Sequence, residues 1–120
     1  MPMITIQIKR VYDDPSKSDG YRILIDRIWP RGVSKEDAKL DDWNKDLAPS
    51  TELRKWFDHD PDKFEDFSKK YKKELENNTE DLKKLLEKAK EKKVTLLYGA
   101  KDMENNQAVV LKEVLEGFEK

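Results

Sequence analysis

Apolar and polar positions divide the chain into three strand-like and several helix-like stretches. Ile4, Ile6 and Ile8 alternate with Thr5, Gln7 and Lys9, the period of two expected of a half-buried strand over 4–9. Asp13 to Gly20 is dense in Asp, Ser, Pro and Gly and predicts a loop. Ile23, Leu24 and Ile25 form a continuous apolar run, which predicts a strand over 21–26 buried on both faces. Val94 to Tyr98 is short, rich in β-formers and apolar on both faces, so it reads as a third, central strand.

Between and after these runs the period changes to that of a helix. Ser34 can cap a short turn through Asp37, and Ser50 a short helix through Leu53, Trp56 and Phe57. Leu40, Trp43 and Leu47 fit a helical stripe, although the residues between them are poor helix formers. Asp60-Pro61 is a helix start: Asp can cap, and Pro at the first position gives up only an N–H that has no partner there anyway. Phe64, Phe67, Tyr71 and Leu75 then recur at helical spacing. Asn77-Asn78 interrupts, and Thr79 begins a second stripe of Leu82, Leu85, Leu86 and Ala89. A last helix carries Ala108, Leu111, Leu115 and Phe118 on one stripe.

Strands separated by long helices need crossover connections, and crossovers give parallel pairing. The expected fold is therefore α/β: a small three-layer domain with a mostly parallel sheet flanked by helices, and residues 1–120 forming one domain. Ligands in such sheets bind outside the carboxyl ends of the strands. Those ends carry Lys9–Tyr12, Asp26–Gly32 and Tyr98–Asp102.

Composition narrows the chemistry. Charged residues make up 42% of the 120-residue chain and apolar residues 36%. The 25 Lys and Arg nearly balance the 26 Asp and Glu, for a formal net charge of -1. That balance disfavours nucleic acid held by bulk charge, while leaving room for a local basic patch. With no Cys and one His, disulfides, thiolate catalysis and Cys- or His-rich metal sites are excluded, so no metal ligands are assigned. No stretch is apolar enough to cross a membrane and no leader is evident, so a cytoplasmic protein with no membrane partner is expected. There is no phosphate-binding Gly-rich loop, dinucleotide fingerprint or nucleophile elbow to name a cofactor.

The segment from Asp26 to Gly32 stands out, because two guanidiniums, a carboxylate and an indole follow a buried strand. Arg27 and Arg31 offer planar forks suited to phosphate or carboxylate, with Arg22 and Arg54 as additional ligand-binding candidates and Trp29 as a wall. The alternative is that these arginines pair with Asp26, Asp41 or Asp42 and pin the loop. Asp26, Tyr98 and Lys101 are the candidates for proton transfer. Against that, Asp26 can serve as a structural partner, Tyr98 can bury its ring, and Lys101 can be solvated. His59 precedes a helix, where capping or surface roles are common. Trp29, Trp43 and Trp56 also suit packing.

The blocks Asp-Gly-Tyr-Arg (19–22), Asp-Arg-Ile-Trp-Pro-Arg-Gly (26–32), Pro-Ser-Thr-Glu-Leu-Arg (49–54) and Leu-Leu-Tyr-Gly-Ala-Lys-Asp (96–102) occur in that order. Together they resemble the family called domain of unknown function 488 (DUF488), in its short single-domain form, over nearly the whole chain. The resemblance implies an α/β fold and no established activity. Members often carry His after the Asn that opens the last helix. Here Asn106 is followed by Gln107, which has no acid–base role to play. Three functions fit these observations. The leading one is a small enzyme or ligand-binding domain for an anionic, phosphorylated or nucleotide-like small molecule. The others are a nucleic-acid-binding or regulatory module and a protein-interaction domain.

Overall fold

The structure, a computed structural model, describes residues 4–117. Four parallel strands form one sheet: β1 (Ile6–Arg10), β2 (Tyr21–Leu24), β3 (Asp42–Trp43) and β4 (Val94–Tyr98), in the order β1-β4-β2-β3. Among the described residues five α-helices complete the fold, α1 (Lys35–Ala38), α2 (Thr51–Phe57), α3 (Phe64–Glu76), α4 (Thr79–Glu91) and α5 (Gln107–Gly117), with short 3-10 helices at Lys17–Asp19 and Pro61–Lys63. This is the expected α/β domain with a parallel sheet, and β4 is central, as its unbroken apolar pattern required. Phe118, placed on the last stripe, lies outside the described residues.

Side-chain alternation sorts the sheet into two faces. Val94, Leu96 and Tyr98, with Ile6, Ile23 and Ile25, join one large cluster with Phe57, Phe67, Tyr71, Leu85 and Leu111 from α2 to α5. Leu24 and Leu97 point the other way, toward Val11 and Ala38, and Trp29, Val33, Leu40 and Trp43 pack against them. The third layer is thus thin: α1, and the indoles of Trp29 on the loop and Trp43 on β3, whose rings meet edge to face at 5.2 Å.

The caps read from the sequence are present. The hydroxyls of Ser34 and Ser50 accept from the backbone N–H of Asp37 and Leu53, and Asp60 accepts from Asp62. The segment 40–47 differs: its apolar spacing is helical, yet it forms β3 and a turn. Asp41 Oδ2 accepts from Arg22 N at 2.8 Å, and Asn44 Oδ1 accepts from the backbone of Asp46 and Leu47. Asp and Asn side chains that bond backbone in this way compete with helix formation, and the segment adds to the sheet edge instead.

Gly20 opens β2 at φ +67°, and a Cβ there would stand 2.3 Å from the Lys93 carbonyl oxygen, so no other residue lets the chain enter the sheet so tightly. Beside it, Asp19 is 1% exposed and Arg22 4%. Arg22 Nη1 meets Asp19 Oδ2 at 2.5 Å, and Lys9 Nζ meets the same oxygen at 3.1 Å. Arg22 also donates to the carbonyls of Ala38 and Lys39. This network satisfies charges that would be costly if buried alone.

Candidate functional site

The carboxyl ends of the strands converge as a parallel sheet requires. Tyr12 after β1, Asp26–Arg31 after β2 and Gly99–Asp102 after β4 line a cleft of about 890 Å³, together with α2 and the start of α5. Its size suits a small molecule. Phe57, Phe67, Pro30 and Pro49 supply an apolar interior. Five basic side chains (Arg27, Arg31, Arg54, Lys55 and Lys101) and three acidic ones (Asp26, Asp58 and Asp102) also line it.

Asp26 sits where β2 ends and the loop begins. Gly99 N donates to its Oδ2 at 2.8 Å, and the Gln107 side-chain amide donates to Oδ1. The Trp43 indole N–H holds the Asp26 carbonyl at 2.7 Å. Burial raises the carboxyl to about 6, while the Gly99 N–H, the Arg54 charge and the Gln107 amide pull against that rise. Neutral donors stabilise a carboxylate less than a cation in contact does. Asp26 makes no ion pair within 4.0 Å among the described residues.

The arginines are held differently from one another. Arg27 Nε donates to the Pro49 carbonyl at 3.0 Å and Nη2 to that of Ala48 at 3.4 Å, which leaves Nη1 for a ligand. Arg31 and Arg54 are exposed. The Tyr12 hydroxyl donates to the Arg31 carbonyl at 2.9 Å, and the Trp29 indole N–H donates to the Val33 carbonyl at 2.7 Å. These two bonds brace the loop from both sides. None of Arg27, Arg31 and Arg54 pairs with Asp26, Asp41 or Asp42; the alternative of pinning through those carboxylates is not what holds the loop.

Two of the expected residues stand elsewhere. Arg22 is tied to Asp19 on the opposite face of the sheet, away from the cleft. Tyr98 faces the helical core at 2% exposure and does not line the cleft; burial pushes its phenol up. The alternation along β4 accounts for this, because Val94, Leu96 and Tyr98 share the helix-facing side. Lys101 is exposed at the rim, and Trp29 lines the cleft while its indole secures the loop.

The cleft also recruits residues that the sequence does not assign to it. Gln107 is 81 positions from Asp26, and nothing local signals that contact. Gly99 had a signal, since a glycine just past a strand often marks a close approach. His59 lines the cleft at φ +55°, directly after Asp58 at φ +47°. Successive left-handed residues other than glycine are strained. Among the described residues no cluster of His, Cys, Asp and Glu could hold a metal ion, and no helix is long and apolar enough to cross a membrane.

Comparison with known proteins names no activity. The uncharacterized protein YeaO of Escherichia coli is 47% identical over 96% of this chain and 100% of its own length. An uncharacterized protein of Mycobacterium tuberculosis is 38% identical over 93% of this chain and 94% of its own. No solved structure matches the chain significantly. The family model described as the inactive DUF488-N3 subclade matches residues 5–119. The chain therefore belongs to the DUF488 family, within the subclade described as inactive DUF488-N3.

Proposed function

We propose that this protein is a ligand-binding domain whose cleft recognises an anionic small molecule, of the phosphorylated or nucleotide-like kind. The observation that carries the reading is the set of cations at the strand ends. Arg27, Arg31, Arg54 and Lys101 line one cleft with no carboxylate within ion-pair distance among the described residues. Arg27 is anchored by two backbone carbonyls, so its remaining N–H groups are presented at little entropic cost. Binding is favoured over catalysis because no nucleophile–base pair lines the cleft and Tyr98 faces the core. The description of the matching subclade as inactive points the same way.

Amide NMR spectra recorded with inorganic phosphate, and with chloride at equal ionic strength, test the reading. Phosphate-specific shifts should concentrate at Arg27–Gly32, Gly99–Lys101 and Gln107. Shifts scattered over the lysine-rich faces of α3 and α4, or identical in both salts, contradict it.

A further inference from the structure

The cleft floor and its rim differ in what they lack. At the floor, Asp26 is half-buried and among the described residues receives only the Gly99 backbone N–H and the Gln107 amide, both neutral. At the rim, Arg31 and Arg54 carry positive charge with no carboxylate within ion-pair distance among the described residues. A buried carboxylate is normally compensated by a cation in contact, as Asp19 is by Arg22 and Lys9 on the other face of the same sheet. Asp26 has no such partner, although basic residues stand nearby. An anion alone satisfies the rim and worsens the floor, because it adds negative charge to the space in front of a carboxylate.

We infer that the ligand is dipolar: an amino, amidine-like or amino-heterocyclic N–H group seats on Asp26, while a phosphate or carboxylate at its other end meets Arg27, Arg31 and Arg54. Asp26 then acts as a specificity-determining residue that selects amine-bearing anions over plain ones. This rests on the proposed anion-binding reading and adds the second pole of the ligand. Each oxygen of Asp26 keeps a lone pair after its single protein bond. The apolar walls of Phe57 and Phe67 leave the middle of the ligand free to be a carbon skeleton or a ring.

The charged and titratable groups around Asp26 come from every neighbouring element. Arg54 lies on α2, Tyr71 on α3 and Arg27 next in the chain, while Asp58, His59, Lys101 and Asp102 line the same cleft. Of these, Arg54 holds the Asp26 carboxyl down from a distance, and the Tyr71 hydroxyl is committed to the Leu47 carbonyl. Burial still outweighs them.

The test is a matched pair of phosphate esters, O-phosphoethanolamine and ethyl phosphate, which differ in one ammonium group. Calorimetric titration of the intact chain should show the amine-bearing ester binding roughly tenfold to a hundredfold more tightly, the range of a charge-assisted hydrogen bond. In Asp26→Asn that ratio should collapse toward one, whatever the absolute affinities become. The parent chain supplies a second measurement that needs no variant. Followed by the NMR shift of its carboxyl carbon, the midpoint of Asp26 titration should fall on saturation with O-phosphoethanolamine and rise with ethyl phosphate. Equal affinities for the two esters, a ratio preserved in Asp26→Asn, or a midpoint that moves the same way with both, overturns the inference. The first of these leaves the anion-binding reading standing, whereas failure of both esters to bind removes that reading as well.

Discussion

Gly99 and Asp26 are in contact that admits no side chain between them. The Gly99 N–H donates to Asp26 Oδ2 at 2.8 Å, and a Cβ built on residue 99 would also stand 2.8 Å from that oxygen. The end of β4 and the end of β2 are thereby joined at the cleft floor. Gly99→Ala should push the Asp26 carboxyl away and break its bond to Gln107. The expected cost is about 1–3 kcal/mol, the usual range for overpacking, measured by chemical denaturation. A neutral change would mean that the carboxyl is not fixed there.

Asp26 also sets a pH dependence with a definite sign. Burial raises its folded-state value to about 6 from an ordinary 3.8, so between those values the folded protein holds more protons than the unfolded chain. Stability should therefore fall as pH rises from about 4 to 6, and level off above, by up to about 3 kcal/mol from this group. Asp26→Asn removes the titration: Asn still accepts from Gly99, and Gln107 can turn its amide to present oxygen. Relative to the parent, the variant should gain stability at pH 7.5 and little at pH 4. Denaturation curves at the two pH values decide this, and a variant equally destabilised at both contradicts it.

Arg22 is a binding candidate on sequence grounds only as an addition to Arg27 and Arg31. Its neighbours in space make it structural. It is buried against Asp19 and two backbone carbonyls. Arg22→Met should cost about 3–5 kcal/mol, since it leaves the buried Asp19 with Lys9 alone as a cation in contact and takes the guanidinium from the Ala38 and Lys39 carbonyls. Replacing Asp19 and Arg22 together by apolar residues should cost less than either single change. Urea unfolding of the three variants tests this, and single changes within a few tenths of the parent would show that the pair is not buried.

Leu97 is fully buried on β4, under the thin layer formed by α1 and the two indoles. Leu97→Ala should destabilise by about 2–5 kcal/mol, read from the shift in denaturation midpoint. A small effect would mean that the thin layer collapses to fill the space.

What the sequence revealed and what it hid follow from the range of the interactions involved. Strand periodicity and helix caps are local, so β1, β2, β4 and the starts of α1, α2 and α4 could be read from a few residues each. The convergence of Tyr12, Asp26–Arg31 and Gly99–Asp102 followed from parallel pairing alone. Strand β3 was hidden because two residues carry no period, and the Leu40–Trp43–Leu47 spacing imitates a helix. The partners of Asp26 were hidden because Gly99 and Gln107 are brought to it only by the closed fold. Arg22 and Tyr98 were misplaced for one reason: strand alternation sends each to a face, and that face had to be known before its neighbours could be.

Thermal unfolding with ethyl phosphate against chloride at equal ionic strength tests the cleft most directly, in the parent and in a chain carrying both Arg31→Ala and Arg54→Ala. Both arginines are exposed and neither side chain makes a hydrogen bond or ion pair among the described residues, so their removal should leave the fold intact. The ester should raise the parent's melting temperature beyond chloride, because a ligand that prefers the folded state stabilises it by mass action. The double variant should lose most of that rise. An ester that does no more than chloride, or a double variant that responds like the parent, contradicts anion binding at this cleft.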